Sequence, residues 1–260
     1  MVDLSFTYDE LLTYLLILVR ITCFIYLAPF FNMGNTPNRV KVGLGVCVSY
    51  LVYQLVLPIE PLEYSNILEY SVMVIKEAMV GLIVGFGANI CMSIVNFTGS
   101  IIDMETGMAM ATIFDPQTNQ ETSISGVLYQ YAMSLILIVS GMYQYLLKAI
   151  VETYELIPIN GAIFDKEHLL NSMVTFMGNY LTIGFRICLP VFCAMILLNA
   201  ILGIMAKVSP QMNMFAVGIQ LKMLVGIGIL LIAVTMLPSA ADFIFTQMKV
   251  IVVDFVEGMT

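Results

Sequence analysis

Five charged side chains lie within or beside long apolar stretches of the sequence, where a charge needs a partner. Two are basic and three are acidic: Arg20, Arg186, Glu77, Asp103 and Glu105. A charge inside a membrane-spanning segment is costly, so it is usually paired or belongs to an ion or proton pathway. Because arginine seldom releases its proton near neutral pH, this set favours structural ion pairs over proton transfer. We therefore expect each arginine to pair with one of the three carboxylates.

A polar stretch of residues 99–120, here called the central segment, interrupts the apolar sequence and contains acidic residues but no Lys or Arg. Gly99 and Gly107 permit bends, and Pro116 has no amide hydrogen, so we predict no straight, lipid-facing helix through it. Its backbone must then pack against protein or line a wet cavity. Three methionines at roughly helical spacing add flexible, polarizable side chains: Met104, Met108 and Met110. The residues alone leave two interpretations, a deformable gate or a re-entrant loop that connects two spans.

The motifs of the commoner enzymes are missing from the sequence. There is no HExxH, no GxSxG and no glycine-rich loop followed by Lys-Ser or Lys-Thr. The five cysteines fall in apolar runs without CxxC spacing, which is typical of buried free thiols. The single histidine, His168, follows Asp165 in a polar stretch typical of a helix start. We therefore expect no enzymatic activity, no cofactor and no metal site.

Composition places the chain in a membrane. Of its 260 residues 60% are hydrophobic and 11% are charged, and the mean hydropathy is +0.96, far from the values of soluble domains. The net charge of -8 comes without a basic patch, which argues against nucleic-acid binding. The amino terminus has Asp3, Asp9 and Glu10 in place of a basic region, so the first apolar run is not predicted to be a cleaved signal.

The hydrophobic runs predict an all-α integral membrane protein with about six partly broken helices. The predicted spans are Leu11–Phe31, Val42–Leu57, Val72–Phe97, Ile124–Leu147, Met173–Met205 and Met223–Leu237. Two of them are short and end at Pro58 and Pro238, and the long fifth run contains Pro190, which favours bent or broken helices. Closely spaced glycines predict tight helix contacts. The last segment, Ala240–Val256, is predicted to be an amphipathic helix at the membrane surface or against another subunit.

Three parts of the sequence together resemble one known family. Residues 199–222 read NAILGIMAKVSPQMNMFAVGIQLK, residues 114–116 read Phe-Asp-Pro after Gly99 and Gly107, and a third match covers Asn32–Lys41. These segments resemble those of the flagellar biosynthetic protein FliR and its type III secretion relatives, the SctT export-gate subunits. They occur in the family's order, so the resemblance covers nearly the whole chain.

The resemblance implies a non-enzymatic core subunit of the flagellar type III export gate, in the bacterial inner membrane at the flagellar basal body. The expected partners are several copies of the P-like and Q-like subunits (FliP and FliQ), an FlhB-like switch subunit, an FlhA-like export subunit and unfolded export substrates. Residues 1–170, including the central segment, would form a P-like portion. Residues 171–260 would form a Q-like helical hairpin with the amphipathic C-terminal segment. In such a hetero-oligomeric helical assembly, helices need not cross lipid conventionally.

The resemblance also implies roles for particular residues. The plug of the pore would comprise Gly107, Met108, Met110, Ile113 and Phe114. The loop would be anchored by Gly99, Asp115 and Pro116. The subunit contact motif would comprise Lys207, Pro210, Gln211, Asn213 and Phe215. Asp103 and Glu105 stand where many relatives have a small residue and a glutamine, so we expect them to make closure of the loop depend on pH.

Other functions stay open at this level. A virulence export gate would share the same core subunits. A secondary transporter would use Asp103 and Glu105 to bind coupling ions at a broken helix. An intramembrane enzyme would need unusual catalytic residues, and a plain scaffold would tolerate replacement of the central segment by a neutral linker.

Overall fold

Helices make up almost all of the described chain. The computed structural model describes residues 8–31, 37–56, 66–111, 113–115, 120–209, 211 and 213–260. The helices are α1 (Tyr8–Leu27), α2 (Asn38–Val56), α3 (Ile67–Thr106), α4 (Ile124–Val139), α5 (Met142–Leu156), α6 (Lys166–Val208), α7 (Met214–Ala233) and α8 (Leu237–Glu257). Two short 3-10 helices cover Met108–Ala111 and Val234–Met236. Two three-residue strands, β1 (Ile113–Asp115) and β2 (Gln120–Thr122), pair with each other, so the predicted helical class is confirmed.

Fewer helices than predicted are long and apolar enough to span a bilayer. Among the described residues there are four, or five if the broken pair α4 and α5 counts as one span. The helix α2 forms where the second span is predicted but is not among the four. The predicted sixth span is part of a longer one, because α7, the second 3-10 helix and α8 follow one another without a loop. The prediction of about six spans was therefore too high.

The predicted span Ile124–Leu147 is broken. The helix α4 ends at Val139, and α5 begins at Met142 after Gly141, whose φ is +72°. Glycine adopts this left-handed conformation without the steric penalty that a Cβ brings. The sequence predicted bent or broken helices in the second, fifth and sixth runs and not here, whereas in the fifth run α6 continues through Pro190.

The chain divides into two compact units that alternate along the sequence. The first unit comprises residues 1–90, 141–175 and 247–260, and the second comprises residues 91–140 and 176–246. Within the first unit, α1 and α3 approach so closely that a Cβ on Gly81 would lie 2.1 Å from the backbone oxygen of Arg20. Such an approach is what closely spaced small residues predict. At Gly178 and Gly228, by contrast, an added Cβ would meet nothing within 4 Å.

The C-terminal helix packs against its own chain through one face. Met248, Ile251 and Phe255 are buried, whereas Val250 and Val253 are 47% and 45% exposed. The backbone NH of Ile163 donates to the oxygen of Met259 at 3.1 Å. The amphipathic pattern of this segment therefore reflects at least in part packing within the first unit.

Candidate functional site

The central segment begins as helix and bends only in its middle. Gly99 lies within α3, two turns before the helix ends at Thr106. A Cβ on Gly99 would lie 2.2 Å from the Cα of Gly126, so the two glycines allow α3 and α4 to meet at backbone distance. The prediction that no straight helix runs through the central segment was therefore wrong for residues 99–106, where Gly99 serves close packing. The bend at Gly107 is real, with φ of +80°.

Asp103 holds the start of α4 instead of an arginine. Its side chain is almost fully buried, and both carboxylate oxygens lie 3.3 Å from the backbone nitrogen of Ser125, which donates to them. The hydroxyl of Ser123 accepts from the backbone nitrogen of Gly126 at 2.9 Å and caps the same helix. A carboxylate is favourable here because the first turn of a helix has unpaired NH groups and a partial positive charge. The end of α3 and the start of α4 are thereby fixed to each other.

From this fixed base emerge residues 107–122, here called the gate loop. After the 3-10 helix Met108–Ala111, the strands β1 and β2 form an antiparallel hairpin. Its register pairs Ile113 with Thr122, Phe114 with Glu121 and Asp115 with Gln120. For Met110, Ile113, Phe114 and Asp115 only the backbone is described, and Pro116 lies outside the described residues. Three predicted plug or anchor residues thus lie on one strand of a short hairpin.

The methionines within and just before the gate loop differ in exposure. Met108 is 6% exposed and lines an apolar cavity of about 440 Å³, whereas Met104, at the end of α3, is 74% exposed. The other residues lining this cavity come from α4, α7 and the 3-10 helix that follows α7: Ile124, Ser125, Leu128, Met223, Ile227, Leu230, Leu231 and Val234. Met104 was absent from the predicted plug set, although its helical spacing from Met108 is visible in the sequence. Its exposure adds it to the candidate gate residues.

Arg20 lies at the centre of a buried polar cluster in the first unit. Its Nε lies 2.6 Å from Oε2 of Glu77, and both side chains are fully buried. Its Nη1 donates to the hydroxyl of Thr153 at 3.3 Å and to the oxygen of Ile157 at 3.1 Å. The guanidinium carbon also lies 4.1 Å from the ring centre of Tyr154, a favourable cation–π distance.

The other oxygen of Glu77 completes this cluster. Oε1 accepts from the backbone nitrogen of Asn160 at 3.0 Å, in a turn where Asn160 has φ of +65°. Arg20 and Glu77 thus connect α1, α3, α5 and the turn after α5. Burying two charges is costly unless close geometry and further hydrogen bonds compensate them, and both are present here. The expected partner for Arg20 was one of three carboxylates, and the structure selects Glu77.

Arg186 has no such partner. Its side chain is exposed on α6, and the guanidinium carbon lies 5.2 Å from the ring centre of Phe243. None of the three candidate carboxylates forms an ion pair with it, and Glu105, half-buried at the end of α3, forms none among the described residues. The prediction that Glu77, Asp103 or Glu105 pairs with Arg186 was therefore wrong.

The predicted subunit contact motif forms the connection from α6 to α7. Lys207 is in the last turn of α6, and Gln211 and Asn213 are exposed. The side-chain oxygen of Asn213 caps α7 by accepting from the backbone nitrogen of Ala216 at 3.4 Å. Pro210 lies outside the described residues, and of Phe215 only the backbone is described. The described side chains of this motif are thus available at the surface of the second unit.

Comparison with known proteins identifies the family of this chain. Residues 11–248 match the family described as bacterial export proteins, family 1. Similar chains include the flagellar biosynthetic protein FliR of Bacillus subtilis, which is 28% identical over 86% of both chains. The FliR proteins of Pectobacterium carotovorum and Escherichia coli K12 are 25% and 22% identical, each over 93% of this chain and 92% of the relative. The match to the family covers most of the sequence, and this chain therefore belongs to the bacterial export proteins, family 1.

Proposed function

We propose that this chain is a core subunit of the flagellar type III protein export gate in the bacterial inner membrane. The observation that carries the proposal is that the gate loop, a short two-stranded hairpin, follows two helices that are fixed to each other. The base is fixed by the Gly99–Gly126 contact and by the carboxylate of Asp103 on α4. The flagellar names of the relatives favour a flagellar system over a virulence system.

The gate loop has the properties of a movable seal. A two-stranded hairpin is marginally stable by itself, so it can be displaced without unfolding the helices that hold it. Its Met, Ile and Phe residues supply apolar side chains, and a hydrophobic constriction blocks ions by excluding water. Flexible methionine side chains let such a constriction fit substrates of different shapes. An unfolded export substrate would displace the hairpin. Because the helices at its base stay in place, the hairpin would then go back to its closed position.

The proposed partners are those of an export gate. They are P-like and Q-like subunits (FliP and FliQ), an FlhB-like switch subunit and an FlhA-like export subunit. We also propose that residues 1–170 are P-like and residues 171–260 Q-like. The non-helical residues 157–165 lie just before α6 and mark a break near that point, although the two compact units do not coincide with this division.

Purification of the tagged chain from its native membranes in a gentle detergent tests the assembly. Mass spectrometry of the intact complex should find several copies of small hydrophobic P-like and Q-like subunits with one copy of this chain. Recovery of the chain alone or as a homodimer, while a known membrane complex survives the same procedure, would contradict the proposal. In that case a transporter becomes the alternative, although the engagement of Asp103 by α4 leaves this carboxylate poorly placed to bind a coupling ion.

Removal of two apolar side chains tests the seal. We expect Met110→Gly with Phe114→Gly to raise ion leakage through the assembled gate, because the constriction loses two large side chains. The measurement is ion flux in liposomes containing the purified complex. Thr118→Gly is the matched control, since it changes a polar residue of the same loop. Equal leakage from the double variant and the control, at equal complex content, would remove the gate loop from the seal.

A further inference from the structure

The position of Arg186 on α6 raises the question of what neutralises it. Between Glu167 and Lys207 it is the one charged residue of this helix. Each of these two residues is about 20 positions away, which corresponds to roughly 30 Å of helix. Its neighbours on α6 include Phe185 and Leu189, which are 51% and 52% exposed. A guanidinium without an ion pair among the described residues thus lies halfway along a long, exposed apolar surface.

Among the described side chains of its own unit, none neutralises Arg186. Phe243 offers a ring face but no negative charge. Asp242 is exposed beside Phe243 on α8, yet no ion pair joins it to Arg186. A cavity of about 230 Å³ adjoins the arginine, with Tyr129, Pro190 and Ser239 in its lining. A single water takes up about 30 Å³ of liquid volume, so this space can accept a carboxylate side chain.

We infer that Arg186 is the docking point for an apolar helix of another subunit that carries one Asp or Glu within its hydrophobic stretch. This inference rests on the proposed function, because it assigns one contact within the export-gate assembly. A charge in a membrane helix is stabilised by an opposite charge, and the exposed apolar residues beside Arg186 complement an apolar helix. The surface defined by Phe185, Arg186 and Leu189 is here called the α6 docking face.

Two other occupants fit this face less well. A lipid phosphate supplies a negative charge at the bilayer surface, but a lipid has no helical surface to pack against Phe185 and Leu189. A second copy packed by two-fold symmetry would present the same face, and so would bring two arginines together. A helix with a carboxylate supplies both the negative charge and an apolar surface.

Photo-cross-linking in the native membrane identifies the occupant. A benzophenone amino acid replaces Leu189, about one turn from Arg186, and Leu51 on α2 is the control position because it is also exposed, at 62%. We expect Leu189 to cross-link to an identified export-gate subunit, at a peptide with Asp or Glu within one helical turn of the linked residue. Cross-links from Leu189 to lipid only, to a second copy of this chain, or to a segment without an acidic residue would overturn the inference.

A charge exchange then tests the ion pair itself. Arg186→Glu should reduce the yield of purified complex about tenfold, because two carboxylates would face each other in a buried contact. Changing the partner's acidic residue to Arg should restore the yield in this background. The control is Lys148→Glu, which reverses an exposed charge that is 73% accessible and should leave the yield unchanged. The amount of each variant in the membrane, measured before purification, separates loss of assembly from loss of the chain.

The outcomes separate the two proposals. If the unaltered chain copurifies with P-like and Q-like subunits but Arg186→Glu assembles equally well, the docking inference is wrong and the proposed function stands. If the unaltered chain brings no such subunits, the proposed function itself fails. Restoration of the yield by the exchanged charge would establish the pair, since a variant that merely misfolds is not rescued by a change in another protein.

Discussion

Two arginines in long apolar helices have opposite surroundings in this protein. Arg20 is fully buried and has an ion pair, two further hydrogen-bond acceptors and an aromatic ring around it. Arg186 is exposed, and the contact that the described part of the chain offers its guanidinium is the ring of Phe243. The same residue type therefore serves folding within the chain in one place and is exposed at the surface in the other. The difference teaches that the position of a charged residue in an apolar helix does not by itself indicate the role of that residue. The role depends on the group that pairs with the charge.

The packing around the two arginines shows the same contrast. Gly81 places the backbone of α3 against that of α1 beside Arg20. On α6, two turns before Arg186, a Cβ on Gly178 would meet nothing within 4 Å. In the first case a small residue is needed for a contact inside the chain. In the second case the space is open, as expected of a surface that another helix can cover.

The largest expected effect comes from removing the buried charge. Arg20→Leu should lower the free energy of unfolding by about 3–5 kcal/mol, because Glu77 stays buried without its partner. Arg186→Leu should leave the stability of the isolated chain unchanged. Denaturant unfolding of both variants in detergent micelles measures the difference. Adding Glu77→Leu to Arg20→Leu should recover much of the loss, and equal losses for Arg20→Leu and Arg186→Leu would abolish the contrast.

A smaller effect is expected from adding one methyl group near each arginine. Gly81→Ala should destabilise the chain by about 1–3 kcal/mol, because its Cβ meets backbone and the helices must separate. Gly178→Ala should instead stabilise it by roughly 0.5–1 kcal/mol, since alanine favours helix and the space is open. The same unfolding measurement applies. A loss with Gly178→Ala in the isolated chain would show that α6 is covered by its own chain there.

The smallest expected effect concerns the carboxylate that binds neither arginine. Asp103→Asn should cost about 1 kcal/mol, because the first turn of α4 loses a negatively charged acceptor. Since Asp103 and Arg20 share no partner, the costs of Asp103→Asn and Arg20→Leu should add to within about 0.5 kcal/mol. A double-mutant cycle by denaturant unfolding measures this. Strong coupling would contradict the independence of the two sites.

Much of the candidate site follows from residue type and spacing. The need of Arg20 for a carboxylate, the bend at Gly107 and the helix start at Asp165 are local or chemical properties that a sequence carries. Asp165, for example, accepts from the backbone nitrogens of Glu167 and His168 at 2.9 Å and 3.2 Å. The choice of Glu77 among three carboxylates is different. It depends on α1, α3 and α5 coming together, and periodicity in one helix does not reveal this.

The sequence by itself determined that this chain is a helical membrane protein with buried charges to neutralise, because hydropathy and the cost of charge in lipid depend on composition and order alone. The tertiary structure decided that Gly99 packs against Gly126, that Asp103 caps α4 and that Arg186 is left open. Each of these depends on which helix lies opposite. A residue's partner is a property of three-dimensional packing, since side chains far apart in sequence meet only when the helices that carry them do.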